Sequence, residues 1–297
     1  MQKYDVVIIG SGVSGMTAGI YLKRGGINTL IIEGDTPGGQ LNRASSIKNY
    51  PGFKEIDGPT LAYSIYEQLN SYNIDYLYEK VTEVNLDDKI ITTQNNEIAY
   101  DYLIIATGRV PRKLNLDNEE KLIGHGISYC ALCDGNLYKD KEIIIVGGGN
   151  SALQEAIHLS KICKKVTIIH RRDTFKAERE VIDDLSNYAN INIIYNANVI
   201  RYNIMNDKLY SVTLDNNEEI KIDGIFISIG YDPATDIFNL DKDNGYIIVG
   251  KNYETSIKDV YACGDVIKKD TYQLTTSAGE ATVVADQIIH KITNNQK

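Results

Sequence analysis

Asp5-Val6-Val7-Ile8-Ile9-Gly10-Ser11-Gly12-Val13-Ser14-Gly15, followed past an amphipathic stretch by Thr29-Leu30-Ile31-Ile32-Glu33, decides the fold. The two ends are short, continuously apolar runs, which suit strands covered on both faces of a parallel sheet. Between them the apolar residues Ala18, Tyr21 and Leu22 recur at helical spacing. A glycine-rich turn joins the first strand to that helix, so the segment reads as one βαβ unit.

The pattern occurs again. Glu142-Ile143-Ile144-Ile145-Val146 runs into Gly147-Gly148-Gly149-Asn150-Ser151-Ala152, then a stretch with Leu153, Ala156, Ile157 and Ser160 at helical spacing, then Val166-Thr167-Ile168-Ile169. Two βαβ units, starting near residues 5 and 142, predict an α/β protein with two Rossmann-like dinucleotide-binding domains. Residues 59–72, opened by Pro59 after Gly58, read as a helix. Short alternating runs over 74–106 end at Thr107-Gly108, and similar runs over 191–222 precede Gly224–Gly230. A third strand and turn, Asp259–Asp265, lead to a last helix from about Thr275 with Ser277 and Glu280 as its capping box. That late strand and helix must pack on the first domain. The expected organisation is therefore 1–112 and 241–297 forming one domain, with 113–240 inserted and crossings near 109–116 and 231–242.

The chain has 297 residues, 31 Lys and Arg against 40 Asp and Glu, and a net charge of −9. An acidic chain with pI near 5.0 lacks the basic surface that nucleic acid needs. A composition 43% hydrophobic and 24% charged excludes a wholly disordered chain. Four cysteines make no disulfide scaffold. Neither a signal segment nor a run of about 18 apolar residues is present. A soluble, cytoplasmic protein without a membrane partner is expected. The charge is uneven: residues 161–179 carry Lys161, Lys164, Lys165, Arg171, Arg172, Lys176 and Arg179 against Asp173 and Glu178.

The two turns predict different ligands. In the first, Gly10 permits the tight turn, Gly12 lets the backbone approach a pyrophosphate, and Gly15 lets helix and strand pack. Glu33 ends the second strand, where a carboxylate accepts from ribose hydroxyls and repels a 2′-phosphate, so FAD or NAD is preferred over NADP. In the second turn, Gly147-x-Gly149-x-x-Ala152, the equivalent position carries no acid. His170-Arg171-Arg172 and Lys176 stand there instead, cations that pair with a 2′-phosphate. Between the turns lies Cys130-Ala131-Leu132-Cys133-Asp134. Cysteines at this spacing can close a disulfide over one helical turn, and a helix start favours the thiolate. A zinc half-site would need a second pair, but Cys163 and Cys263 are isolated and no histidine has ligand spacing, so no metal is expected. An inert buried pair is the remaining reading. Asp134 favours redox chemistry, because disulfide reduction needs a proton at the departing thiolate.

Taken in order, GSGVSG (10–15), Gly38-Gly39-Gln40-Leu41, Asn49-Tyr50-Pro51-Gly52, Ala106-Thr107-Gly108, CALCDG (130–135), GGGNSA (147–152), HRRDTFKAE (170–178), CGDV (263–266) and Thr276-Ser277-Ala278-Gly279 resemble the low-molecular-weight, bacterial-type thioredoxin reductases over nearly the whole chain. The resemblance implies domains of the three-layer ββα type, FAD and NADPH as cofactors, thioredoxin as protein substrate, and a homodimer. It implies FAD contacts at Gly10, Gly12, Ser14, Gly15, Glu33, Gly39, Gln40, Asn49, Thr107 and Gly108, with Asp265 and Gln273 reaching the flavin end. NADPH would lie over Gly149, Asn150, Ser151, Ala152, Arg171, Arg172 and Lys176. Hydride would pass from NADPH to FAD, then two electrons to Cys130–Cys133. Cys133 would face the flavin, Cys130 would attack the thioredoxin disulfide, and Asp134 would be the acid. The family turns one domain against the other between these steps, which makes the two crossings hinges.

Two departures are visible. Lys176 stands where the family usually carries Arg, and Tyr272-Gln273-Leu274 replaces the usual Arg-Gln-Ala. A ferredoxin-linked reductase, a dithiol oxidase or flavin reductase with another acceptor, and a non-catalytic flavin sensor are the alternatives. With no thioredoxin-like segment before Tyr4 and no redox motif after Thr282, the acceptor is expected to be a separate protein.

Overall fold

The structure, a computed structural model, describes residues 1–44 and 47–295. In chain order the elements are β1 (Gln2–Ile9), α1 (Val13–Arg24), β2 (Thr29–Ile32), α2 (Gly58–Asn70), β3 (Asp75–Leu77), β4 (Val81–Asn85), β5 (Ile90–Thr93), β6 (Glu97–Ile105), β7 (Arg109–Pro111), α3 (Glu119–Leu122), β8 (Ile127–Ser128), α4 (Ala131–Asp134), β9 (Glu142–Gly147), α5 (Asn150–Ser160), β10 (Lys165–His170) and α6 (Arg179–Asp184). Then come β11 (Ile191–Tyr195), β12 (Val199–Met205), β13 (Lys208–Leu214), β14 (Glu219–Lys221), β15 (Gly224–Ser228), β16 (Tyr231–Pro233), β17 (Lys242–Asp243), β18 (Tyr246–Ile247), β19 (Val260–Ala262) and α7 (Leu274–Asn295).

The chain divides into two compact units, residues 1–110 with 233–297, and residues 111–232. The first crossing lies at 110/111. The second falls at 232/233, within 231–242 but ahead of the 240/241 boundary expected from sequence. Residues 233–240 belong to the first unit, where Phe238 is 1% exposed in the core and Thr107 Oγ1 donates to Ala234 O at 2.7 Å.

In the first unit the sheet runs β3-β2-β1-β6-β5-β4, with β19 also on β6. Strands β3, β2, β1, β6 and β19 are parallel, whereas β4 and β5 form an antiparallel flap on the early half of β6. Successive residues of a strand point to opposite faces. Accordingly Val6 and Ile8 join the core under α1 and α7, while Val7 and Ile9 join the core on the other face with Phe238, Ile247 and Val266. Being covered on both faces is what made this strand read as a continuous apolar run.

The second unit repeats the scheme with β11-β10-β9-β15-β8, all parallel, and a separate antiparallel β12-β13-β14 sheet. Ile143 and Ile145 face one core and Ile144 and Val146 the other.

Two local expectations change. Tyr21, placed on the covered face of α1 by its spacing, is 39% exposed and lies under the Arg24 guanidinium instead. Helix α7 begins at Leu274, so Ser277 and Glu280 sit inside it and form no capping box. The Thr276 hydroxyl serves the helix start, accepting from Gln273 N, and Glu280 is turned inward to a different partner.

Candidate active site

At the carboxyl ends of β1, β2, β6 and β19, the first glycine turn is built by close backbone contact. A Cβ on Gly10, whose φ is +97°, would lie 2.5 Å from Ala106 O, and one on Gly15 would lie 1.9 Å from Gly10 O. Only glycine fits at either place. Gly12 has nothing within 4 Å of the same position. The opening lies at the N-cap of α1, where free amides favour a pyrophosphate. Strand order reverses at β1, the switch point at which open α/β sheets bind ligands.

Other first-unit residues converge on this turn. Glu33 Oε2 accepts from Ser11 N at 2.7 Å and Ser11 Oγ at 2.8 Å, and Oε1 accepts from Asp35 N at 3.1 Å. The carboxylate is thereby fixed beside the glycines. A Cβ on Gly39 would be 3.5 Å from Gly12 Cα. Gln40 Nε2 donates to Arg109 O at 2.8 Å, and Asn49 Nδ2 donates to Gln273 Oε1 at 3.0 Å. Gly108 has φ +65°, and its carbonyl accepts from Ala234 N. Gly264 lies so near Ser14 that a Cβ would come within 2.1 Å of Ser14 Oγ. An open cradle at Gly12, a fixed carboxylate at Glu33 and a helix N-terminus fit FAD.

Beside them lies a charge network that sequence reasoning missed. Asp265 pairs with Arg109 at 2.5 Å and Lys269 at 3.6 Å, and accepts from Ser277 Oγ at 3.3 Å. The Arg109 guanidinium lies 4.7 Å from the centre of the Tyr272 ring. Lys269 also bridges both oxygens of Glu280, at 3.1 and 3.0 Å, and Glu280 Oε2 accepts from Gly264 N at 2.8 Å. Burial raises Glu280 above the usual carboxylate range against the opposing pull of Lys269. No local pattern announced this pairing, because Glu280 three positions after Ser277 imitates a capping box.

In the second unit a Cβ on Gly148 would strike the buried His170 ring at 2.2 Å, while Gly149 at the N-cap of α5 has its nearest neighbour, Lys176 O, at 3.7 Å. Lys176 N donates to Gly148 O at 2.7 Å, bringing the 170–178 loop against the glycines. Asn150 and Glu178 exchange two hydrogen bonds, at 2.9 and 2.7 Å. Ala152 is buried, whereas Ser151, Arg171, Arg172 and Lys176 are exposed, and the two arginines make no ion pair among the described residues. Exposed cations next to an accessible glycine fit a dinucleotide that carries a 2′-phosphate.

Cys130 and Cys133 form a disulfide with Cα atoms 5.3 Å apart. Cys130 is the N-cap of α4, and its Sγ accepts from Cys133 N at 3.1 Å. Because α4 spans four residues, this one amide, rather than a helix dipole, is what faces the sulfur. Cys130 is buried and Cys133 exposed. Ser128, read as nothing in particular from sequence, donates from Oγ to Asp134 Oδ2 at 2.7 Å and accepts from Cys130 N at 3.0 Å. The other two thiols are free and buried. Burial pushes Cys163 up to about 11 and Cys263 higher still, so neither is a nucleophile near neutrality.

Among the described residues there is no group of three or more candidate metal ligands, and no helix is long and apolar enough to cross a membrane. Residues 4–282 match the pyridine nucleotide-disulphide oxidoreductase family. A 34.2 kDa protein in the rubredoxin operon of Clostridium pasteurianum is 40% identical, over 96% of each chain. The thioredoxin reductase of Bacillus subtilis is 34% identical over 99% of this chain and 96% of its own. Among solved structures, thioredoxin reductase from Lactococcus lactis superposes with a TM-score of 0.90 at 36% identity, over 98% of this chain and 99% of that one. The thioredoxin reductase of T. acidophilum gives 0.88 at 31% identity, over 99% and 100%.

Proposed function

The chain belongs to the pyridine nucleotide-disulphide oxidoreductase family, and from that membership we propose that it is a thioredoxin-disulfide reductase. With FAD and NADPH bound, such an enzyme would reduce the Cys130–Cys133 disulfide, and the resulting dithiol would reduce thioredoxin. The observation that carries the reading is that disulfide, closed between neighbours on one short helix and followed directly by Asp134.

In the first unit Gly10, Gly12, Ser14, Gly15 and Gly39 would hold FAD at its pyrophosphate, Glu33 at its adenosine ribose, and Gln40, Asn49, Thr107, Gly108, Asp265 and Gln273 along the rest. In the second, Gly149, Asn150, Ser151 and Ala152 would hold NADPH, with Arg171, Arg172 and Lys176 for its 2′-phosphate. Bound FAD would supply the acceptor for the hydride, and that hydride with one proton from solvent balances the opening of the disulfide to two thiols.

The second half of the reaction belongs to the chain's own residues. The Cys130 thiol yields its proton to Asp134 and attacks one sulfur of the thioredoxin disulfide. That S–S bond breaks, a mixed disulfide forms, and the departing thiolate takes the proton from Asp134. The Cys133 thiol then yields its proton to Asp134 and attacks Cys130 Sγ. The Cys130–Cys133 bond reforms, and the second thioredoxin thiolate leaves with that proton. Thioredoxin gains two electrons and two protons; the enzyme dithiol loses both. Because Cys130 is buried, its attack requires that the sulfur first be uncovered.

Lys176 and Tyr272, which replace the family's usual arginines, favour as second reading a reductase of the same fold with another donor, such as reduced ferredoxin. A homodimer in the cytoplasm completes the proposal. The test is an anaerobic comparison of NADPH, NADH and reduced ferredoxin as donors with thioredoxin disulfide as acceptor. NADPH is expected to bleach the flavin within seconds and to support turnover. A flavin that stays oxidised with NADPH but bleaches with ferredoxin overturns the donor, and loss of flavin colour without thioredoxin reduction overturns the acceptor.

A further inference from the structure

Building on the roles given above to Cys130, Cys133 and Asp134, we propose that Ser128 is the positioning residue that aims Asp134 and tunes its proton delivery during thiol exchange. Ser128 is 3% exposed and lies on β8, where its backbone pairs with that of the fully buried Phe226 on β15. Its place is therefore set by the parallel sheet and not by the short redox helix. A serine hydroxyl has one proton to give and two lone pairs to receive with. One lone pair is used by Cys130 N at 3.0 Å. Two acceptors stand before the proton, Asp134 Oδ2 at 2.7 Å and Cys130 O at 3.3 Å. The nearer, charged acceptor takes it while Asp134 is ionised.

One buried hydroxyl thus links the backbone of the first cysteine to the carboxylate of the acid, across the turn that holds both sulfurs. When Asp134 receives a proton from a cysteine thiol, the Ser128 proton has a second acceptor in Cys130 O and need not oppose it. Ser128 neither gains nor loses a proton in the cycle. It sets where the carboxyl points, and holds that carboxyl beside the backbone of the first cysteine.

The experiment uses flavin-loaded protein reduced with NADPH and follows one turnover of thioredoxin disulfide as a function of pH. Ser128→Thr and Ser128→Val are isosteric and differ in the hydroxyl. The Thr variant is expected to keep the parent profile. The Val variant should react about tenfold more slowly at neutral pH, with the acid limb of its profile displaced from the parent's, as loss of one charge-assisted hydrogen bond implies. Asp134→Asn should remove that limb. If Asp134→Asn does so but the Thr and Val variants share one profile, the role of Ser128 is refuted and Asp134 stands as the acid. If Asp134→Asn leaves the limb in place, Asp134 is not the acid and the proposal falls with it. Melting temperature and flavin content are recorded for each variant. Should β-branching itself disturb the strand, Ser128→Ala replaces the pair and must reproduce the slowed, shifted profile, a parent-like one being the refuting result.

Discussion

Lys269→Met tests the charge network of Asp265, Lys269 and Glu280 in the first unit. Lys269 and Glu280 have side chains only 10% and 8% exposed, and Lys269 Nζ reaches both oxygens of Glu280 at about 3 Å. Removing one partner of a buried pair leaves the other charge unpaired, which costs about 3–5 kcal/mol. Glu280 would keep the Gly264 amide as donor, so the lower end applies. A body of this size loses about 2–4 °C per kcal/mol, which predicts a melting temperature roughly 6–12 °C below the parent. Glu280 is already raised by burial. A carboxyl with a folded pKa above its unfolded value destabilises the fold above both and ceases to do so below the unfolded one. The deficit of Lys269→Met should therefore be largest at alkaline pH and shrink as pH falls into the ordinary carboxylate range. Adding Glu280→Gln keeps an acceptor for Gly264 N without the charge and should recover most of the loss in a double-mutant cycle. Thermal melts of flavin-loaded protein across pH provide the measurement. A single variant melting within about 2 °C of the parent, or a deficit that does not shrink in acid, would refute the reasoning.

Three further outcomes follow from the geometry. Gly15→Ala puts a Cβ 1.9 Å from Gly10 O and should yield protein that binds FAD at least tenfold more weakly, read from flavin retained on purification. Arg171→Ala removes one exposed cation next to the second turn and should raise KM for NADPH about tenfold while leaving NADH kinetics unchanged, as the proposed pairing with the 2′-phosphate requires. Cys130→Ser should still allow NADPH to bleach the flavin but should abolish reduction of thioredoxin, which stopped-flow absorbance and a thiol assay separate; retention of thioredoxin reduction would reassign the attacking thiol.

Much of this protein could be read from local pattern because its central strands are buried on both faces. Val6–Ile9 and Ile143–Val146 announce themselves as apolar runs, and Gly10 and Gly15 of the first turn each answer to a backbone contact within a few residues or on the neighbouring strand. What stayed hidden depends on partners far along the chain. The hydroxyl of Ser11 meets Glu33, Arg109 meets Asp265, and Glu280 meets Gly264 N, and none of these pairings leaves a periodic trace. The capping-box expectation failed for that reason: the local motif was present, but burial against Lys269 and Gly264 outweighed it. Ser128 was invisible because serine two residues before a cysteine is unremarkable until a strand brings its hydroxyl under a carboxylate.

The insertion of one unit within the other also bears on how the protein is made. The late half of β6, Leu103–Ile105, takes its last partner from β19, Val260–Ala262. On the ribosome those carbonyls and amides must wait for about 155 further residues, of the order of ten to thirty seconds at common elongation rates. In that interval the inserted unit, contiguous in sequence from 111 to 232, can complete its own parallel sheet, while the first unit holds an apolar edge open. The part synthesised first is thus the part finished last, and its waiting edge is where a nascent-chain chaperone would be needed.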